Sequence, residues 1–338
     1  MFKILMPAIV FLILLLLFPS ICVEGAGSGL RLWLNTMVPT LFPFLVVTNL
    51  LREYKGIPLF ERVFSPFLSR LFRIQPGGAY PVILGYLCGY PMGAKAVADC
   101  ICAKRINRRE AGYLLTFTNN PSPAYMSGYV CLYILDSKAS RLPLLVITFL
   151  VPVITALFSR HFIFPRKKSG PASRMLSSSQ ASGRHFLSDP SLKAMSVSES
   201  EHENDLSGTS KASWDRCLTQ ACEVLVKVGG FMMLFSVISA LVCRIPGLPP
   251  MAACIISGLL EQTTGLALLK EQSFSPKIKT VLAMVFVCFG GLSIAAQTYS
   301  VIHDQGLSLK SYFWGKILSG IIAALLTLGW IYIVAFLH

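Results

Sequence analysis

The stretch Gly85-Tyr86-Leu87-Cys88-Gly89-Tyr90-Pro91-Met92-Gly93-Ala94-Lys95 decides how this chain is read. Glycine and proline break an otherwise apolar segment, so one straight helix does not fit it. A basic turn follows, Lys104-Arg105-Ile106-Asn107-Arg108-Arg109, and then an apolar run that ends in Asn119-Asn120-Pro121-Ser122-Pro123. The same order recurs further on. Gly258-Leu259-Leu260-Glu261-Gln262-Thr263-Thr264-Gly265 leads into a basic turn with Lys270, Lys277 and Lys279, and then into an apolar run ending in Phe289-Gly290-Gly291-Leu292-Ser293. Polar, helix-breaking backbone at membrane depth is tolerated only where protein buries it or water reaches it. Such breaks at matching places in two halves point to a transporter binding site.

The rest of the composition supports a membrane setting. The chain has 338 residues, 54% of them apolar and 14% charged, against roughly a quarter charged in a soluble domain. The net charge of +14 comes from short basic clusters between apolar runs, the pattern that orients cytoplasmic loops. It is not an aromatic-interleaved basic surface, so no nucleic-acid partner is expected. Ten cysteines and five histidines show neither zinc-site spacing nor a nucleophile–base arrangement. No metal, no cofactor and no enzymatic activity are expected.

The expected fold is an all-α polytopic membrane protein. It is an inverted repeat with two re-entrant helical hairpins and about seven to eight transmembrane helices. Residues 1–30 hold an N-terminal transmembrane helix over the apolar run 4–22, with a cleaved signal peptide as the competing reading, residues 31–164 a first gate-like repeat, and residues 213–338 a second. Between them, residues 165–212 are serine-rich with mixed charge and read as a disordered cytoplasmic linker. Residues 57–73 alternate apolar positions (Leu59, Phe60, Val63, Phe64, Phe67, Leu68, Leu71, Phe72) with polar ones at helical spacing. This is an amphipathic helix for the interface or for a neighbour. Three spans, near 111–135, 142–164 and 215–243, separate the hairpins, and an odd number makes the second hairpin enter from the opposite face. Lys310 and Lys316 are counted with the loop before the last span.

Broken helices leave unpaired N–H groups and a positive dipole end, which suit an anion. The candidate substrate-binding residues are Tyr90, Gly93, Lys95, Asn119, Asn120 and Ser122 in the first half. In the second half they are Gln262, Thr263, Thr264, Gly290, Gly291, Ser293 and Gln297. Charge at membrane depth is costly and therefore points to function. Lys95 would balance an anion, while Glu261 and Asp99 are candidates for coupling to a proton or sodium ion. The bland readings are helix packing by the small residues and a Lys95–Asp99 pair one turn apart.

Taken in order, Gly89 to Lys95, Asn119 to Pro123, Gly258 to Gly265, and Phe289 to Ser293 with Gln297 resemble the YlbJ-type sporulation integral membrane proteins. These are grouped with the nucleoside-recognition gate domain proteins. The resemblance covers about residues 30–165 and 210–335. The family pattern reads Asn-Asn-Ser-Gly-Pro where this chain has Asn119-Asn120-Pro121-Ser122-Pro123. The resemblance implies a fold similar to concentrative nucleoside transporters. It also implies a place in the mother-cell or outer forespore membrane, and movement of dipicolinic acid toward the forespore. The expected partners are thus a small anion, the lipid bilayer and a coupling ion, proton or sodium. A nucleoside carrier and a non-transporting protein of spore envelope assembly are the alternatives.

Overall fold

A computed structural model describes residues 2–54, 56–136, 140–164 and 208–337. Every regular element among them is helical. In chain order these are α1 (Phe2–Leu17), α2 (Pro19–Leu32), α3 (Val38–Glu53), α4 (Gly56–Phe72), α5 (Ala79–Leu87), α6 (Met92–Cys102) and α7 (Arg108–Leu115). Then come α8 (Arg141–Phe162), α9 (Gly208–Cys243), α10 (Pro250–Leu260), α11 (Gln262–Glu271), α12 (Pro276–Phe289), α13 (Gly291–Ile302) and α14 (Leu309–Leu337). Two wider, π-helical stretches, Trp33–Met37 and Tyr125–Ile134, join α2 to α3 and succeed the Asn119–Pro123 break.

Among the described residues, five helical segments are long and apolar enough to cross a membrane: Pro19–Leu51, Arg141–Phe162, Ser213–Cys243, Pro276–Gln305 and Leu309–Phe336. Two expected crossings take another form. The run 4–22 is not one helix, because the helix starts afresh at Phe18–Pro19, where proline suits a first helical turn. From Pro19 the helical path runs on through the first π-helical stretch to Glu53, so the span expected at 31–51 begins twelve residues earlier. The span expected at 111–135 is interrupted from Thr116 to Ser122. The expected linker lies, from residue 165 to 207, outside the described residues, and α9 already covers 208–212.

The two helix pairs α5–α6 and α10–α11 are hairpins with matching construction. Gly93 packs on Gly85, and both press on the backbone of Thr118. Gly265 packs on Gly258, whose other side meets the Phe286 ring. A side chain at any of these four positions would collide with backbone or ring, so only glycine permits the close approach. The helices after each turn start under local control. Asn107 accepts from the N–H of Glu110 (2.9 Å) at the start of α7, and Ser275 accepts from that of Ile278 (3.4 Å) at the start of α12.

The hairpin bases meet opposite ends of the segment Pro276–Gln305. Arg105, just below α6, pairs with Glu61 of α4 at 2.6 Å. At that same end Arg108 donates to the carbonyl of Gly306, after α13, at 3.1 Å. At the other end, the Lys270 ammonium at the base of α11 sits 3.5 Å from the centre of the Tyr133 ring, where the 125–134 stretch finishes. Lys279 donates to the carbonyl of Lys270 at 2.9 Å. Two of the three lysines in the second basic turn are thus tied to local partners.

The amphipathic helix is present as α4. Phe72 is buried while Val63, Phe64 and Phe67 are exposed, so its apolar row divides between the bundle and the surroundings. The halves are joined by contacts of α2, the first π-helical stretch and α3 with α9: Trp33 donates to the carbonyl of Leu225 (2.9 Å) and Asn49 to that of Cys217 (3.0 Å).

Candidate functional site

Both hairpin tips and both helix breaks meet at the centre of the bundle. The tip of the first hairpin, Gly89, rests on Ser122 of the first break. The tip of the second, Leu260 to Gln262, rests on Gly291 of the second break. Each tip is also tied to the other half by tyrosine. The Tyr90 hydroxyl donates to the carbonyl of Val287 (2.5 Å), one turn before Gly290, and its ring faces Gly290. The Tyr125 hydroxyl lies 3.3 Å from that of Thr263, and the Tyr129 hydroxyl donates to the Thr263 carbonyl at 3.5 Å.

A cavity of about 30 Å³ opens between these groups. Tyr90, Ser122, Tyr125, Glu261, Gln262, Thr263 and Gln297 line it, with Met37, Leu41, Val228, Met232 and Ile294 as apolar walls. That volume holds a water or two. A metabolite with a ring and two carboxylates fits only if the tips part.

Glu261 is 2% exposed and acts as the N-cap of α11. Its Oε1 accepts from the N–H of Thr263 (3.0 Å), and its Oε2 from the N–H (2.6 Å) and the hydroxyl (2.8 Å) of Thr264. The dipole end expected to hold a substrate carboxylate at the second hairpin therefore already faces a carboxylate of the protein. Gln262 is 3% exposed, and its Oε1 has no hydrogen-bond partner among the described residues. A buried acceptor left unpaired costs stability unless something binds it. Its amide can turn to present N–H groups instead.

The remaining candidates play different structural parts. Gly93 is a packing residue between Gly85 and Thr118. Asn119 donates to Thr298 (2.9 Å), Asn120 to the carbonyl of Phe117 (2.7 Å), and Gln297 to Ser293 (3.3 Å), all of them buried. The Asn120 bond holds the backbone of the first break, the Asn119 bond ties that break to α13, and neither residue lines the cavity. Gly290 and Gly291 form the second break itself, with φ of 88° and 77° that favour glycine. Thr264 turns toward Glu261 and Ser236. Lys95 and Asp99 stand one turn apart on the partly exposed side of α6 and do not line the cavity.

A buried lysine, Lys316, lies behind Tyr90. It does not belong to a loop: it lies inside α14 and is 2% exposed. Its ammonium donates to the carbonyl of Cys288 (3.2 Å) and sits 4.8 Å from the centre of the Tyr90 ring. Among the described residues, no carboxylate lies within ion-pair distance of it. A lone lysine in front of a run without further charge from Ile317 to Leu337 is a legible signal. Counting it with the preceding loop hides that signal. Tyr125 and Tyr129 have no signal of their own, since aromatics in membrane helices are usually only packed.

No family model and no solved structure matches the chain. Over 324 residues it is 25% identical to the sporulation integral membrane protein YlbJ of Bacillus subtilis (strain 168), a match that covers 90% of this chain and 76% of that protein. That extended similarity, with the apolar helices of spanning length, supports an integral membrane protein similar to the YlbJ-type sporulation proteins.

Proposed function

We propose that the protein is a secondary carrier for a small anionic metabolite, and that the metabolite is dipicolinic acid moved toward the forespore during sporulation. The observation that carries the reading is the meeting of two hairpin tips and two helix breaks around one buried cavity, with a carboxylate-free lysine behind Tyr90. A buried cation with no acid beside it is costly, and an anion that binds there offsets the cost. Dipicolinate is a planar aromatic dianion. Lys316 suits one carboxylate, the rings of Tyr90 and Tyr125 suit its plane, and the Gln262 amide suits a second polar edge.

The same frame supports alternating access. The bases of the hairpins meet opposite ends of the segment Pro276–Gln305, which supports two re-entrant hairpins in inverted orientation. Parting the first tip breaks the Tyr90–Val287 bond and uncovers Lys316 from one side. Parting the second releases Thr263 from Tyr125 and Tyr129 on the other. The similarity to a sporulation protein supports placing the carrier in the mother-cell or outer forespore membrane of a spore-former. A neutral nucleoside has no use for the fixed charge of Lys316, which favours the anion over the nucleoside alternative.

Uptake of labelled dipicolinate into vesicles carrying the purified protein tests this reading. Saturable uptake that unlabelled dipicolinate abolishes and uridine leaves alone is expected. Competition by uridine with none by dipicolinate would move the protein to the nucleoside class. No uptake of any anion by folded protein would end the carrier reading.

A further inference from the structure

A second cavity, of about 180 Å³, lies between α2 and α9. Its walls include Ser28, Ser236, Ser239 and Thr264, and the ion pair of Glu24 and Arg244 (3.2 Å), both largely exposed, borders it. The cavity has room for several waters and hydroxyls to hold them. From its wall an unbroken hydroxyl chain leads to the central site. Ser236 Oγ lies 2.8 Å from Thr264 Oγ1, and Thr264 Oγ1 lies 2.8 Å from Glu261 Oε2. Glu261 lines the central cavity and Thr264 lines the second. One buried carboxylate therefore touches the substrate cavity on one side and, through two hydroxyls, a separate cavity beside a surface ion pair on the other.

We propose that Glu261 is a proton carrier loaded through Thr264 and Ser236 from the second cavity, so that the carrier moves its anion together with a proton. This rests on the carrier reading above. The transfer balances. A hydronium in the cavity gives a proton to Ser236 Oγ, Ser236 passes its own to Thr264 Oγ1, and Thr264 passes its own to Glu261 Oε2. Three O–H bonds form and three break, leaving water and a neutral carboxylic acid. The 2.8 Å contact at Oε2 serves both states: Thr264 donates to the carboxylate, and after transfer it accepts from the acid and turns its hydrogen to Ser236. A sodium ion fits poorly, because N–H and O–H groups aim their hydrogens at both Glu261 oxygens. The ionisable groups facing Glu261 are the phenols of Tyr125 and Tyr129. The elements packed around it add Cys243 and Arg244 at the end of α9, Glu24 from α2, and from α13 only the amide of Gln297.

The test uses the full chain in vesicles loaded with a pH-sensitive dye, with labelled dipicolinate and imposed pH or sodium gradients. A pH gradient should drive accumulation, and dipicolinate entry should carry protons in. Ser236→Ala should keep dipicolinate exchange at equal pH and slow gradient-driven accumulation by about tenfold, since a water can partly replace the lost hydroxyl. Transport without proton movement, accumulation driven by sodium instead, or a Ser236→Ala variant with unchanged proton-driven uptake would each overturn the proton route while leaving the carrier reading intact. Infrared spectroscopy of the purified protein gives a readout that needs no transport. A carboxylic acid band that titrates, vanishes in Glu261→Gln and exchanges with deuterium more slowly in Ser236→Ala is expected. If that band is absent at every pH at which the protein stays folded, the proposal fails.

Discussion

Replacing Lys316 with methionine separates the energetics of the fold from those of the site. The lysine is 2% exposed, and its nearest favourable contacts are the carbonyl of Cys288 at 3.2 Å and the face of Tyr90 at 4.8 Å, with the Tyr312 ring at 6.0 Å. A hydrogen bond from a charged donor contributes about 1.5–3 kcal/mol, and a desolvated cation–π contact about 2 kcal/mol. Against these stands a desolvation penalty of several kcal/mol for the ion. The terms nearly cancel, so a methionine of similar volume should leave stability within about 1–2 kcal/mol of wild type, on the stable side if it moves. Binding should respond very differently. Losing one partner of a buried charge pair costs about 2–5 kcal/mol, which is roughly thirty- to several-thousand-fold in affinity at about 1.4 kcal/mol per tenfold. The assay is thermal unfolding in detergent with and without dipicolinate, alongside dipicolinate exchange in vesicles. The expected pair is an unchanged or raised unfolding temperature without ligand and a lost ligand-induced shift. A variant that unfolds early yet binds dipicolinate normally would refute the reasoning, because it would make Lys316 a structural residue.

The same geometry sets other outcomes. Gly258→Ala brings a Cβ to 2.5 Å from the Phe286 ring and should destabilise the protein by about 1–3 kcal/mol, seen as a lower unfolding temperature; a silent substitution would mean the second hairpin packs otherwise. Gly290→Ala, at φ 88°, should cost about 1–2 kcal/mol through backbone strain, measurable in the same way. Tyr90→Phe removes the bond to the Val287 carbonyl and should loosen the first tip by about 1 kcal/mol, visible as faster deuterium exchange at residues 88–92 than in wild type. Cysteines introduced at Arg109→Cys and Lys277→Cys should react with impermeant reagent from opposite sides of the membrane; labelling from one side would reject the inverted arrangement.

Much of the bundle is readable because two local signals are strong. Gly85, Gly89, Pro91 and Gly93 cannot continue one helix in an apolar run, and Gly258, Glu261 and Gly265 repeat the message. Asn119 to Pro123 and Gly290-Gly291 interrupt the next segments in the same order. Where sequence and structure part, the local signal is incomplete. Phe18–Pro19 cuts an apolar run that hydropathy alone treats as continuous. Lys95 stands beside the first break in sequence but on the partly exposed side of α6, because a helix turns successive residues to different faces.

Apolar runs interrupted twice by the same pattern of glycine, proline and amide residues are enough, by themselves, to establish a helical membrane protein with paired breaks. Hydropathy and backbone sterics act within a few residues of each other, so they are written along the chain. Which charges serve the site is decided only in three dimensions. Lys316 reaches Tyr90 and Cys288, and Ser236 meets Thr264 beside the helix that Glu261 caps, because helices distant in sequence cross at those points. Electrostatics and hydrogen bonding depend on distances of a few ångströms, and between separate helices only packing sets those distances.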